Sequence, residues 1–148
     1  LDVSLHRSAA RLMLDWAKEK KASLILSSIT VKGTKGTEIF GVASTGSARG
    51  KLVSAGISVV ENATVPGISG VLLNEGMIHG QDVIVLLVSS DKEFPDFQAT
   101  SNLCNSLSKL VPGVSCNLDK LEKESKIIEQ QIKQAESDTK DLSDNIYR

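Results

Sequence analysis

Three ionisable side chains near the middle of the sequence have the types that acid/base catalysis or metal binding requires. Glu75 and His79 stand at i and i+4, which would place a carboxylate and an imidazole on one helix face, and Asp82 follows shortly after. The signal is weak, because no third ligand has a convincing spacing and the other histidine is the distant His6. We therefore expect no catalytic residues, no metal site and no cofactor site.

Two glycines in the same region, Gly67 and Gly70, could cradle an anion at the start of a helix. They lack the full glycine pattern of a dinucleotide site or a P-loop, and glycines inside a helix more often allow close packing on a neighbour. No Ser/His/Asp or Cys/His arrangement can be assigned. The enzyme classes that use those groups are not indicated.

These residues belong to a longer stretch around which the chain is organised, residues 65–88, VPGISGVLLNEGMIHGQDVIVLLV. Its last six residues, 83–88, are an unbroken apolar run, which predicts a strand covered on both faces at the centre of a sheet. Residues 68–79 predict a helix that begins after Pro66 and Gly67 and ends at Gly80. A buried helix followed by a buried strand is typical of a crossover in an α/β sheet.

Strands and helices alternate on both sides of this unit. The patterns predict strands at residues 24–31, 39–43 and 57–60, and helices at residues 4–20, 48–55 and 97–110. In the first helix, Leu5, Ala9, Leu12 and Trp16 share one face, which we expect to be buried. The sequence therefore predicts an α/β fold with a mostly parallel sheet flanked by helices.

Composition excludes several classes of protein. The 148 residues are 41% apolar and 24% charged, as in ordinary globular domains, and a net charge of −1 argues against nucleic acid or a membrane surface as partner. No run reaches the ~20 apolar residues of a membrane span. Cys104 and Cys116 are too few for a disulfide framework, so we expect both to be reduced and buried, in a cytoplasmic protein.

The last segment has a different pattern, which divides the chain into an α/β domain at residues 1–116 and a projecting helix and tail at residues 117–148. Asn117 is a suitable helix cap. After it, a strict alternation of three and four residues describes a narrow seam, at positions 118, 121, 125, 128, 132, 135, 139, 142 and 146. We expect the first half of this helix to dock on its own domain or on a sister subunit. The alternative is a solvated helix packed back on the domain.

Several segments together resemble the archaeal members of the proteasome assembly chaperone family. They are DWAKEK at residues 15–20, IFGVAS at 39–44, PGISGVLLNEG at 66–76 with the apolar strand after it, FPD at 94–96 and the long charged terminal helix. The resemblance covers nearly the whole chain. Its most specific part is the PGISGVLLNEG segment, which is a family pattern and not a catalytic motif.

This resemblance implies a binding role, in the assembly of proteasome subunits or in docking on the assembled core particle, without a cofactor or ATP. It also implies a fold like that of nucleoside phosphorylases and a homo-oligomer such as a tetramer. Family members usually carry a further N-terminal portion with its own strand, and this chain, which starts at Leu1, is expected to begin after it. Fold similarity alone does not establish an activity.

The end of the sequence, Ile146, Tyr147 and Arg148, resembles the terminal motif by which proteasome activators enter pockets between neighbouring α-subunits. An apolar side chain can fill a slot, the tyrosine can bury its ring and offer a hydroxyl, and the terminal carboxylate can pair with a lysine. We therefore expect these three residues to bind the α-subunits of the core particle. The competing hypotheses are a phosphorylase-like or hydrolase-like enzyme and a structural oligomer held by the terminal seam.

Overall fold

The computed structural model describes residues 2–32, 38–90 and 96–146, without the side chains of residues 121, 129 and 136–146. Its helices are α1 (His6–Glu19), α2 (Gly46–Ser54), α3 (Gly67–His79), α4 (Phe97–Leu110) and α5 (Leu118–Ile146). Its strands are β1 (Ile25–Val31), β2 (Ile39–Ala43), β3 (Ser58–Val59) and β4 (Val83–Ser89). The alternation of strands and helices is the one that the sequence predicts.

The described strands form one sheet in the order β1-β4-β2-β3. β1 pairs with β4 in parallel, from Ile25 opposite Val83 to Val31 opposite Ser89, and β2 pairs with β3 in parallel. The contact between β4 and β2 is antiparallel. The predicted α/β class, with a mostly parallel sheet flanked by helices, is confirmed, and the antiparallel pairing makes the sheet mixed.

β4 is the buried centre of this sheet. Its residues Val83 to Leu86 are 0% exposed. Leu72 and Leu73 of α3 pack against Val83 and Val85 on one face, whereas residues of α2 and α4 pack against Ile84 and Leu86 on the other. Two covered faces explain why the strand has no polar alternation, as the sequence predicts.

The predicted buried face of α1 is wrong. Leu5, Leu12 and Trp16 are 49%, 72% and 60% exposed, and the buried residues of the helix are Ala10, Leu14 and Ala17. α1 packs on α3 through the face that carries Ala10 and Leu14, which share a core cluster with Leu72 and Leu73 of α3. The apolar stripe of Leu5, Leu12 and Trp16 therefore faces away from the core.

Glycines of α3 explain how this helix lies close to its neighbours. A Cβ atom at Gly76 would stand 2.6 Å from Val83 Cγ2 and 3.0 Å from the Gln81 carbonyl oxygen. The space that a side chain at position 76 would occupy is therefore filled by the loop and the strand that follow the helix. A close approach of this kind compensates for the cost of about 1 kcal/mol that glycine carries inside a helix.

The expectation of two reduced, buried cysteines is also wrong. Cys104 of α4 and Cys116 form a disulfide, with their Cα atoms 5.8 Å apart, and both residues are only partly buried. The turn at Pro112 and Gly113 returns the chain along α4, which brings together two residues that are 12 apart in sequence. The disulfide removes the argument for a reducing compartment that the cysteines supplied. It also ties the beginning of α5 to α4.

Substitutions on β4 and on α1 test this assignment of core and surface. Leu86→Ala should lower the free energy of unfolding by about 2–5 kcal/mol, because it leaves a cavity between covered faces. Trp16→Ala should change it by only about 0.5 kcal/mol, because the side chain is mainly exposed. Urea unfolding of the parent and both variants measures the difference. A Trp16 variant as unstable as the Leu86 variant would show that α1 is rotated from the orientation described.

Candidate functional site

The carboxylate of Glu75 is buried between α1 and α3. It is 2% exposed, and it accepts hydrogen bonds from Arg7 Nε at 3.0 Å and from Arg11 Nε at 3.3 Å. His79 Nε2 lies 3.4 Å from the same carboxylate, one helical turn away on α3. The predicted proximity of Glu75 and His79 is therefore present, but two arginines occupy the carboxylate.

Electrostatics keep Glu75 ionised. Burial raises the pKa of the Glu75 carboxyl, and the hydrogen bonds and charges of Arg7 and Arg11 oppose this effect and leave the pKa below its ordinary value. A general acid needs a raised pKa, near the pH at which it works. The geometry is that of a paired buried charge that connects two helices.

Asp82 belongs to a second network, at the junction of β2 with α2. Its carboxylate accepts hydrogen bonds from Thr45 Oγ1, from Ser47 Oγ at 2.7 Å and from Lys51 Nζ at 2.5 Å. Thr45 also caps α2 by accepting a hydrogen bond from the Ala48 backbone N–H at 3.0 Å. Asp82 thus connects the beginning of β4 to the beginning of α2, and its contacts are not with Glu75 or His79.

The Asp82 network also favours the charged carboxylate. Burial raises its pKa, but the hydrogen bonds from Lys51, Thr45 and Ser47 outweigh burial and lower the pKa from 3.8 to about 2. Lys51 Nζ forms an ion pair with this carboxylate.

Gly67 and Gly70 line a cleft of about 540 Å³ between the beginnings of α1 and α3. A Cβ atom at Gly70 would lie 1.9 Å from the Val65 carbonyl oxygen, and Gly67 has a φ of +69°. Both positions require glycine for the path of the backbone itself. The backbone path therefore explains the two glycines without a bound anion. Among the described residues, no group of three or more His, Cys, Asp or Glu side chains could hold a metal ion.

The third candidate region is α5, which begins at Leu118 and ends at Ile146. Asn117 caps it, accepting a hydrogen bond from the Lys120 backbone N–H at 3.0 Å, as the sequence predicts. Ile146 is the last residue of the helix, and Tyr147 and Arg148 lie outside the described residues. The assignment of these three residues as a binding motif stays a prediction. Among the described residues, no helix combines the length and the apolar character that a membrane span requires.

The arginine partners of Glu75 are not predicted from the sequence. They lie 64 and 68 residues away, and a one-dimensional pattern does not pair residues at such distances. A signal is nevertheless present. Arg7 and Arg11 are spaced i and i+4 on one helix, and Glu75 stands in the mostly apolar helix α3. A carboxylate buried in such a helix requires cationic partners.

Comparison with known proteins identifies the family. The model of the PAC2 family matches residues 2–136. The chain belongs to the PAC2 family. Among curated proteins, none matches this PAC2 chain.

Solved structures share the fold of this PAC2 chain. PbaA of Pyrococcus furiosus, an archaeal homolog of proteasome-assembly chaperone, is 23% identical with a TM-score of 0.80, over 100% of this chain and 63% of that chain. PbaB of the same organism, an archaeal proteasome activator, is 22% identical with a TM-score of 0.64, over 88% and 58%. A protein of unknown function from Thermoplasma acidophilum is 21% identical with a TM-score of 0.68, over 100% and 61%. The chain thus spans about three-fifths of the length of these structures, and identities this low show the fold alone.

Stability at acid pH tests the Asp82 network. The pKa of Asp82 is lowered in the folded chain, so its ionised form stabilises the fold above about pH 4, and this stabilisation is lost as the pH falls towards about 2. The partial exposure of Lys51 weakens the pair, and we expect a contribution of about 1–2 kcal/mol. Asp82→Asn should therefore lose less stability than the parent between about pH 5 and pH 2.

Urea unfolding at several pH values measures this difference. The matched control is Asp15→Asn, at an exposed aspartate of α1, which should keep the pH dependence of the parent. Equal pH dependence in the parent and in Asp82→Asn would show that the network does not hold the carboxylate in its charged form.

Proposed function

We propose that this chain binds the proteasome core particle and acts as an assembly chaperone or an activator-like protein. The observation that carries the proposal is the PAC2 family match over residues 2–136, together with a fold shared with PbaA and PbaB. Those two proteins are described as a homolog of proteasome-assembly chaperone and as a proteasome activator. We propose the same class of partner for this chain. We also propose that the chain is located in the cytoplasm with the core particle.

The proposal treats the chain as a binding protein and not as an enzyme. Its support is that the carboxylates which could act as acid or base already have partners within the fold. Glu75 is bonded to Arg7 and Arg11, and Asp82 is bonded to Lys51. A phosphorylase-like or hydrolase-like activity that used either carboxylate as its acid or base would need that group to be available for substrate.

We assign the contact with the core particle to the end of α5. This helix has 29 residues, which corresponds to roughly 45 Å at 1.5 Å per residue. In this proposal residues 117–148 project from the α/β domain, and the tail of Ile146, Tyr147 and Arg148 enters pockets between α-subunits. In a chain that ends at Arg148, the terminal carboxylate completes the contact by pairing with a lysine or with backbone donors.

A single tail of this size should bind weakly, since the loss of association entropy and the ordering of the tail oppose a small buried area. A homo-oligomer changes this balance. Once one tail is bound, the others bind at a high effective concentration, which can raise the avidity by roughly 10²–10⁴. The proposal therefore includes a homo-oligomer, such as a tetramer, whose tails reach several pockets at once.

Co-sedimentation with purified core particles tests the tail. We expect the parent to bind, and Tyr147→Ala to bind at least about tenfold more weakly, because every tail of the oligomer is weakened together. One extra residue after Arg148 should be nearly as damaging, because it moves the carboxylate away from its partner. The matched control is Lys133→Ala, at an exposed position of α5 away from the tail, which should bind like the parent.

Two results would contradict parts of this proposal. Equal binding by the parent, the tyrosine variant and the extended chain would remove the tail from the contact and place it elsewhere on the chain. Failure of the parent itself to bind assembled core particles, or the free α-subunits from which they are built, would contradict the proposed function as a whole.

A further inference from the structure

The flank of α5 carries an apolar seam whose members, apart from position 146, lie outside the tail. Its described members include Leu118, Ile128 and Ile132, at the positions that face a partner in a helix pair. α5 packs against α4, yet Ile128 remains 37% exposed and the neighbouring Ile127 remains 53% exposed. Apolar side chains repeated at this spacing on an exposed helix form a surface on which another helix or a groove can bind.

Acidic residues border this seam on both sides. Glu122 stands immediately after seam position 121, and Glu124 stands immediately before seam position 125. The sequence repeats the pattern with glutamate at positions 129 and 136 and aspartate at position 138, whereas Gln131 interrupts it. The lysines of the helix lie at positions away from this border, at residues 120, 123, 126, 133 and 140. By sequence position, the helix thus has an acidic border along the seam, and its lysines lie on the outer positions together with Asp119, Asp141 and Asp144.

This arrangement disfavours pairing of two copies along the seam. In a parallel pair of helices, the residue just before a seam position lies opposite a residue just after a seam position of the partner helix. Glu124, which stands just before position 125, would therefore lie opposite position 129 of the second copy. In an antiparallel pair, like border positions face each other, and Glu122 or Glu124 would again meet acids. Both arrangements place like charges opposite each other at the rim of a short and interrupted apolar seam, which destabilises the pair.

The border glutamates also have contacts within α5. Lys126 Nζ donates to Glu122 Oε1 at 2.7 Å, and Lys120 Nζ lies 3.8 Å from Glu124 Oε1. These side chains are about half or more exposed, and exposed ion pairs at i and i+4 contribute little to stability. The lysines can therefore turn away at little cost when a better cationic partner approaches.

We propose that the seam of α5 binds a helix or groove of another protein that is apolar at its centre and edged by lysine and arginine, and that it does not bind a second copy of α5. Charge complementarity on both borders selects this partner. The apolar part of the contact is small, so the charges determine which partner is chosen. The proposal concerns the flank of α5 and does not depend on whether the tail binds the core particle.

Designed helical peptides test the proposal on the full chain. One peptide of four heptads carries isoleucine and leucine at its seam positions and lysine at every border position, and the second differs only in carrying glutamate at the border positions. Fluorescence anisotropy with labelled peptide measures binding. We expect the lysine peptide to bind at least about tenfold more tightly than the glutamate peptide, and its affinity to fall as salt is added.

Two kinds of variant connect this binding to the seam. Ile128→Asp should reduce binding of the lysine peptide at least about tenfold, whereas Ile127→Asp, at an exposed neighbour outside the seam, should leave it nearly unchanged. The double variant Glu122→Lys and Glu124→Lys keeps the apolar seam, and it should shift the preference towards the glutamate peptide. This second test remains decisive if Ile128→Asp disturbs the helix.

Three results would overturn the proposal. One is that the parent chain binds the two peptides equally well, or binds neither of them. Another is a preference that survives the charge-reversed double variant. The last is a homo-oligomer that dissociates in sedimentation velocity when Ile128 is changed to aspartate and not when Ile127 is, because that result would show α5 pairing with itself.

Discussion

Burial of β4 on both faces is the constraint on which the other elements depend. Val83 to Leu86 are 0% exposed, and so large an apolar area must be covered by α3 on one side and by α2 and α4 on the other. The glycine at position 76 lets α3 lie against Val83. α4 in turn carries Cys104, whose disulfide with Cys116 fixes the point where α5 begins.

Charged groups near this core serve to join elements. Glu75 connects α3 to two arginines of α1, and Asp82 connects the beginning of β4 to Lys51 and the cap of α2. A buried carboxylate without such partners would be strongly destabilising, so these networks are requirements of the fold. The groups that are accessible to a protein partner lie elsewhere, and they include Trp16 on the exposed side of α1 and Ile127 and Ile128 of α5.

Features that depend on neighbouring residues can be predicted from the sequence. Features that depend on packing between residues distant in the sequence cannot. The apolar run of β4 and the cap at Asn117 can be read directly, since each depends on a few neighbouring residues. The orientation of α1 cannot, because the exposed Trp16 is as apolar as the buried Leu14 and only packing on α3 distinguishes them. The contact of Glu75 with α1 and the return of the chain along α4 likewise depend on distances that exist only in the folded chain.

The central proposal is that the end of α5, and not the α/β body, contacts the proteasome core particle. Photo-crosslinking tests it most directly, with Tyr147→p-benzoylphenylalanine at the tail and Trp16→p-benzoylphenylalanine on the exposed face of α1, each an aromatic replacement of an aromatic residue. The account predicts crosslinks from position 147 to α-subunits of the core particle and none from position 16. Crosslinks from position 16 without any from position 147 would contradict it.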